Sequence, residues 1–390
     1  MWHAAAVVLQ LSITIGTAAG CATEANCAYS GDCVAGVCRC DAAWSGENCT
    51  TLVLLPATSI NAAGLRRRSS SSWGGSAVLD PMGKLYTMFF SDFGHCGLDS
   101  WQRNSRIGVA LASKPLGPYA AMEKVALPPF AHNPTVHGPA PDGSWLIYHI
   151  GSGEVGGHGS PVVNCTNGTT PTAATVSAEP AVVSPPHLAQ TITPDILVAK
   201  SLRGPWTKLG KGGGCNNPGP VVLKNGTVLL ICKVAVTSGP GGAKPWRQMA
   251  VYVAPSYKGP YELKRLTPVY GEDAYAWYDP KRDAFHMLLH AMHPRKMPTT
   301  AWSKNGLDWT PNGFAGPPNP AARPSFNSSI ALAAGAGQPR VLHVHRRERH
   351  QPIFSNEGEL IGLCNGVTTG ELDYSFTACV PIQTASSLEV

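Results

Sequence analysis

The sequence predicts an all-β protein: a five-bladed β-propeller preceded by a small disulfide-rich module. Three observations predict it. Charged residues make up only 14% of the 390, while Gly (42) and Pro (34) are abundant, so turns are frequent and helix bundles are disfavoured. Six of the twelve cysteines crowd between Cys21 and Cys49. Five strand–turn–strand patterns recur along the remainder, and no stretch of ten or more residues keeps a helical apolar period. A hydrophobic content of 43% argues against disorder. The net charge of +6 is mild and carries no dominant Lys/Arg block, so no nucleic-acid partner is expected.

Residues 1–20 contain no Asp, Glu, Lys or Arg, and small residues at Ala18 and Gly20 precede Cys21. They read as a signal peptide. The apolar run is too short for a comfortable span, so no stable membrane insertion is expected after cleavage, and the mature protein is expected outside the cell. Sequons stand at Asn48, Asn164, Asn167, Asn225 and Asn327, each a candidate glycan acceptor on a surface loop.

Residues 21–50 form the disulfide module. A segment this short cannot rest on a hydrophobic core, so its six cysteines must hold it, although spacing alone leaves their pairing open. No His lies among them, which argues against zinc. The close Cys38-Arg39-Cys40 and the Trp44-Ser45-Gly46 turn before Cys49 resemble an epidermal-growth-factor-like module. That resemblance implies Cys21–Cys33, Cys27–Cys38 and Cys40–Cys49. The calcium-binding members carry acidic residues just before their first Cys; here that stretch is apolar, so no calcium is expected in the module. Among the later six, nearness in sequence suggests Cys215–Cys232 and Cys364–Cys379, leaving Cys96–Cys165.

Residues 51–390 carry the repeats. One motif reads Ala112-Ser113-Lys114-Pro115-Leu116-Gly117-Pro118-Tyr119, then Ala199-Lys200-Ser201-Leu202-Arg203-Gly204-Pro205-Trp206, then Ala254-Pro255-Ser256-Tyr257-Lys258-Gly259-Pro260-Tyr261, with a looser copy at residues 301–309. A strand ending in a Gly-Pro turn before an aromatic is the simplest reading. Upstream of each copy, and once more near the C-terminus, stands a hairpin pattern: residues 76–90, 135–150, 220–231, 274–290 and 329–345. Five such units repeated radially as four-stranded sheets make a propeller. A Thr/Pro/Ser-rich stretch at about residues 155–191 interrupts the second unit and reads as an exposed insertion.

These uneven blades, with Asn-Pro strand starts and A-x-S-x-x-G-P-W/Y third strands, resemble the five-bladed propeller of glycoside hydrolase family 43 and its invertase-like relatives over residues 70–380. The resemblance implies a carbohydrate partner, a monomer, and acids at the starts of blades one, two and three. Here those starts read Trp73-Gly74-Gly75, His132-Asn133-Pro134 and Asn216-Asn217-Pro218, without a carboxylate. Blade four starts at Gly271-Glu272-Asp273 and blade five is read as starting at Arg323-Pro324. Glycosidic cleavage needs two carboxyl groups, so the catalytic candidates become Glu272, Asp273 and Asp92, with Glu154 and Glu348, the latter inside the basic run 343–350, as further acids. Trp73, His132, Asn133, Asn217 and Arg323 are the candidates for substrate binding. No cofactor is expected; calcium in the channel is the one ion that the resemblance allows. Arg346, Arg347 and Arg349 form the densest positive run and read as a solvated strand end, with recognition of an anionic glycan as the functional alternative. The rival functions are a glycan-binding propeller without catalysis and an extracellular adhesion protein.

Overall fold

The computed structural model describes residues 20–388 except 60, 62, 82–83, 155–161, 166–187, 190–193, 237–245, 292–296, 314–322, 334–339 and 371–373. The expected signal peptide (residues 1–19 of it), Asn167 and most of the 155–191 insertion lie outside the described residues.

The repeats fold as five antiparallel blades around a channel. Blade one runs through Ser71–Leu79, Tyr86–Gly94, Arg106–Ala112 and Ala120–Leu127. Blade two takes His132–His137, Trp145–Ile150, Pro194–Ala199 and Thr207–Lys211. Blade three takes Asn216–Val222, Val228–Val236, Trp246–Ala254 and Glu262–Tyr270. Blade four takes Glu272–Asp279, Ala284–Ala291, Met297–Ser303 and Trp309–Pro311. Blade five has Arg346–Phe354, Leu360–Thr368 and Phe376–Pro381. Its outer edge meets the segment ahead of blade one: Leu65 and Thr377 exchange backbone hydrogen bonds of 2.8 and 3.1 Å. The start of the propeller chain thus closes the ring onto its end.

Apolar residues fill the gaps between neighbouring blades. Phe89 and Ile107 of blade one meet Val136 and Ile147 of blade two. Leu146 and Tyr148 of blade two meet Leu230 and Val228 of blade three, and Ile231 and Met249 of blade three meet Ala276 and Met287 of blade four. Each sheet is therefore covered on both faces, which explains why the second strands Trp145–Ile150 and Ala284–Ala291 are buried at every position. The repeated Gly-Pro-aromatic motif has a local purpose. Tyr119 donates its hydroxyl to Pro115 O (2.6 Å) and Tyr261 to Tyr257 O (2.9 Å), and Trp309 Nε1 donates to Gly306 O (3.0 Å). Each aromatic folds back and pins the turn that presents it.

One blade departs from the sequence reading. Residues 330–332 and 340–342 do pair, but as a separate hairpin outside the blades. Of their six residues only Ile330 is buried, and Ala331, Arg340 and Val341 are exposed, so they cannot occupy a strand covered on both faces. The inner strand of blade five is Arg346–Phe354, buried throughout except at its two ends. The run Arg346–Arg349 is therefore no solvated strand end: Arg347 and Arg349 are buried.

Disulfides join Cys21–Cys33, Cys27–Cys38, Cys40–Cys49, Cys96–Cys165, Cys215–Cys232 and Cys364–Cys379, and no cysteine is free. The N-terminal module adds two short ladders, Gly31–Val34 with Val37–Cys40 and Trp44–Ser45 with Thr51–Leu52. It docks on blade four. Arg282 donates Nε and Nη2 to the two carboxylate oxygens of Asp41 (2.8 and 2.6 Å) and Nη1 to Asp32 Oδ1 (2.6 Å). Tyr29 meets the Trp302 ring edge-on at 5.0 Å, and Trp44 packs on His286. Burial opposes ionisation of Asp41, yet Arg282 and Lys281 hold its carboxyl below the usual range. Its contribution to docking is therefore present at neutral pH and is lost as the pH falls through its lowered folded value. Arg282→Ala is expected to remove about 1.5–3 kcal/mol of docking energy, read as a lower melting temperature and faster proteolysis between module and propeller. Lys281→Ala, whose ammonium is largely exposed, should change both measurements much less than Arg282→Ala.

Candidate functional site at the channel mouth

Each inner strand carries a bulge near its start. It leaves Gly74-Gly75, Asn133-Pro134, Asn217-Pro218, Asp273-Ala274 and Arg349-His350 out of the ladder. The first residue of every pair has a left-handed backbone, with φ of 72°, 52°, 52°, 60° and 54° in blade order. Gly, Asn and Asp tolerate that region, and a Pro in the second place sacrifices no ladder hydrogen bond. The bulge turns the four side chains of this ring inward. Asn133 Nδ2 donates to Asn217 Oδ1 at 3.0 Å and lies 3.4 Å from Asp273 Oδ1. Arg349 Nη2 donates to Asn133 O (2.7 Å) and Thr135 Oγ1 (2.8 Å), and Nη1 lies 3.6 Å from Asp273 Oδ1. This polar ring plugs the channel.

Above it lies a cavity of about 340 Å³, within the size range of small-ligand sites. The residue just before each bulge lines it: Trp73, His132, Asn216, Glu272 and Glu348. Asn133, Asn217 and Asp273 form its floor, and Trp101, Asp99, Lys233, Arg247 and Arg346 its wall. The loop bearing Asp99 and Trp101 is fastened by Cys96–Cys165 and by Asn104, which donates Nδ2 to Val163 O at 2.8 Å.

The acids here differ in environment. Glu272 Oε2 takes Lys233 Nζ at 2.6 Å and Arg247 Nη1 at 2.9 Å, and Oε1 lies 3.3 Å from His290 Nε2. Burial opposes its charge, but these cations hold its carboxyl well below the usual range, so it stays ionised. Asp273 is driven the other way. Burial raises it, and His290 and Arg349 offset this only in part. Glu348 Oε1 accepts from Arg346 Nε at 2.9 Å. One atom each from Asp273, His290 and Glu348 falls within 4.8 Å of the others.

His132 is a neutral acceptor. Ser105 Oγ donates to Ala131 O (2.9 Å) and lies 2.8 Å from His132 Nδ1. The hydroxyl proton is used on the carbonyl, so Nδ1 carries the imidazole proton and Nε2 keeps its lone pair. Burial and the Arg349 charge push His132 down to about 3. Asn133 Oδ1 and Asn216 Oδ1 are buried and have no hydrogen-bond partner within the protein.

Of the sequence candidates, Trp73, His132, Asn133, Asn217, Glu272 and Asp273 meet in this cavity. Asp92 does not. It is enclosed by Arg67 (2.5 Å) and Arg106 (2.8 Å), which fix it as a structural anion. Arg323 is exposed and outside the cavity lining, because blade five begins at Arg346 instead. Glu154 is likewise exposed and outside it. Glu348 was legible only as a further acid in a basic run and Arg346 only as part of that run, while Trp101, Lys233 and Arg247 were missed. The signal for Glu348 was its offset, one residue before the bulge, as for Glu272. Lys233 and Arg247 stand on the second and third strands of blade three and reach Glu272 of blade four, and nothing local announces that contact.

A calcium ion in the channel does not fit these residues. Calcium takes six to eight oxygen ligands, whereas the cluster of possible ligands found there among the described residues combines two carboxylates with an imidazole. A buried guanidinium stands 3.6 Å from one of those carboxylates and would repel the ion.

No protein-family model and no curated protein matches the sequence. Among solved structures, the catalytic domain of a GH62 α-L-arabinofuranosidase from Coprinopsis cinerea is similar, with a TM-score of 0.50 and 10% identity over 84% of this chain and 98% of that one. A glycosyl hydrolase from Bacteroides ovatus is similar at the same TM-score of 0.50 and 10% identity, covering 89% and 97%. A family 117 glycoside hydrolase from Zobellia galactanivorans reaches 0.48 and 15% identity, covering 87% and 90%. The likeness of the first two is one of fold.

The hydrogen-bond chain on His132 has a measurable consequence. Its ring ¹⁵N resonances should report the Nδ1–H tautomer and stay flat from about pH 8 to about pH 5, where an ordinary His titrates; a titration near the ordinary value would contradict the assignment. Because the unfolded chain takes up that proton and the folded one does not, His132 should also reduce stability as the pH falls from its ordinary value of 6.5 toward about 3.

Proposed function

We propose that this is a secreted carbohydrate-active protein that binds a glycan in the cavity and hydrolyses a glycosidic bond with Asp273 and Glu348 as its carboxyl pair. The observation that carries the reading is the lining itself: Glu272, Asp273 and Glu348 share one cavity with Trp73 and Trp101. Aromatic faces suit sugar rings, and a carboxyl pair suits acid–base cleavage. Asp273, raised by burial, is the proton donor. Glu272, held ionised by Lys233 and Arg247, cannot donate a proton and serves as a fixed negative charge that holds His290 in place. Glu348 is the second carboxyl. The Asp273–Glu348 approach of 4.8 Å or less is nearer the roughly 5–5.5 Å of retaining pairs than the roughly 6.5–9.5 Å of inverting ones. His132 Nε2, Asn133 Oδ1 and Asn216 Oδ1 are acceptors for sugar hydroxyls, since buried polar atoms require partners.

The six disulfides support the extracellular setting, because disulfides persist in oxidising compartments. Among the described residues no helix is long and apolar enough to cross a membrane. Asn48, Asn164, Asn225 and Asn327 are all exposed, as glycan acceptors must be. The disulfide module is read as epidermal-growth-factor-like, a rigid appendage of blade four rather than a free spacer. A second reading, glycan binding without cleavage, is favoured by one specific feature: the floor positions of blades two and three are Asn133 and Asn217, amides that neither give nor take protons.

The test is release of reducing ends from a panel of polysaccharides. Asp273→Asn and Glu348→Gln should each lower the rate by at least about 100-fold while glycan binding persists. Equal rates in wild type and both variants would overturn the catalytic assignment. Binding by the wild type without any release would establish the second reading.

A further inference from the structure

Arg349 stands where a side chain of its size is unexpected. It occupies the left-handed bulge position of blade five with φ of 54°, and its side chain is fully buried in the channel. We propose that the Arg349 guanidinium is the resident cation of the channel, linking blades two, three, four and five in place of a metal ion. Its Nη2 reaches Asn133 O and Thr135 Oγ1 of blade two, with Pro218 O of blade three at 3.5 Å. Its Nη1 faces Asp273 of blade four. A planar fork with several donors meets carbonyl and carboxylate oxygens on three sides, which a single ammonium could not do. Burying such a charge is costly unless it is paired and hydrogen-bonded; here Nη2 carries the hydrogen bonds and Nη1 faces the Asp273 carboxylate, while Nε and Nη1 make no hydrogen bond within the protein.

Blade one supplies the space. Gly74 holds the equivalent ring position, and a Cβ built there would approach Arg349 Cγ to 2.9 Å. The smallest residue of the ring thus stands against the largest. The ring carries one cation, one acid, two amides and one gap, so its positive charge is covalently attached and independent of any dissolved ion. This holds whether or not the cavity cleaves glycans.

The first test uses wild-type protein. After dialysis against EDTA, elemental analysis should find no stoichiometric divalent metal. The melting temperature should change by less than about 1 °C on chelation or on adding millimolar calcium, because an ion that binds only the folded state must raise it by mass action. A chelation-induced drop that calcium restores, or a stoichiometric metal surviving purification, would overturn the proposal. The second test uses Arg349→Gly, which suits the left-handed backbone. It should melt several degrees lower and regain part of the loss in millimolar guanidinium; an unchanged melting temperature would overturn the proposal. In the third, Gly74→Asn should destabilise wild type strongly and the Arg349→Gly background much less, a non-additivity expected only of groups in contact. Additive effects would contradict the pairing of small and large residues across the channel. If Arg349→Gly does not fold, the wild-type metal measurements still decide the question.

Discussion

The left-handed residue at the start of each inner strand is the constraint on which the site depends. Five strands meeting around an axis cannot all run straight into it, and a bulge lets each strand swing its first side chains inward. The same bulge creates two rings. Gly74, Asn133, Asn217, Asp273 and Arg349 plug the axis, and Trp73, His132, Asn216, Glu272 and Glu348 line the cavity above. Holding a non-glycine residue in this region costs of order 1–3 kcal/mol. Four blades accept that cost, and inter-blade cores on both faces of the sheets offset it.

Charge follows the same geometry. The buried ions at the mouth are paired between blades rather than within them: Glu272 of blade four with Lys233 and Arg247 of blade three, Arg349 of blade five with Asp273 of blade four. Such pairs fix the relative position of neighbouring blades, because removing one partner leaves an uncompensated buried charge. They also separate two adjacent acids. Glu272 is surrounded by cations and stays charged, while Asp273 sits deeper, and its raised carboxyl is the one able to hold a proton. The opposite shifts separate the two neighbours: Glu272 remains a fixed charge, and Asp273 is the one suited to the proton-donor role proposed for it.

Much of this was legible in the sequence, and the reasons differ residue by residue. Four blade starts announced themselves through turn chemistry: Gly74-Gly75, Asn133-Pro134, Asn217-Pro218 and the acids after Gly271. The fifth did not, because Glu348-Arg349-His350 contains no turn-forming residue, while a real hairpin just upstream, residues 330–342, carried the Gly and Pro signals instead. That one displaced hairpin hid the blade-start position of Glu348, put the start at Arg323 instead, and made the arginine run look solvated. Asp92 misled for a different reason. Its partners Arg67 and Arg106 lie 25 and 14 residues away, and an acid at a strand end looks the same whether it faces a ligand or two guanidinium groups.

The disulfide module completes the architecture without joining the mouth. Its salt bridges go to the turn at the end of blade four's inner strand, whereas the cavity lies at that strand's start. The central claim, that the starts of the inner strands form the ligand site, is tested most directly by hydrogen–deuterium exchange with a glycan retained from the polysaccharide panel. The account predicts added protection at residues 73–75, 132–134, 216–218, 272–274 and 346–350, with none in residues 21–50. Protection confined to the module or to the outer strands, with the inner-strand starts unchanged, would contradict it.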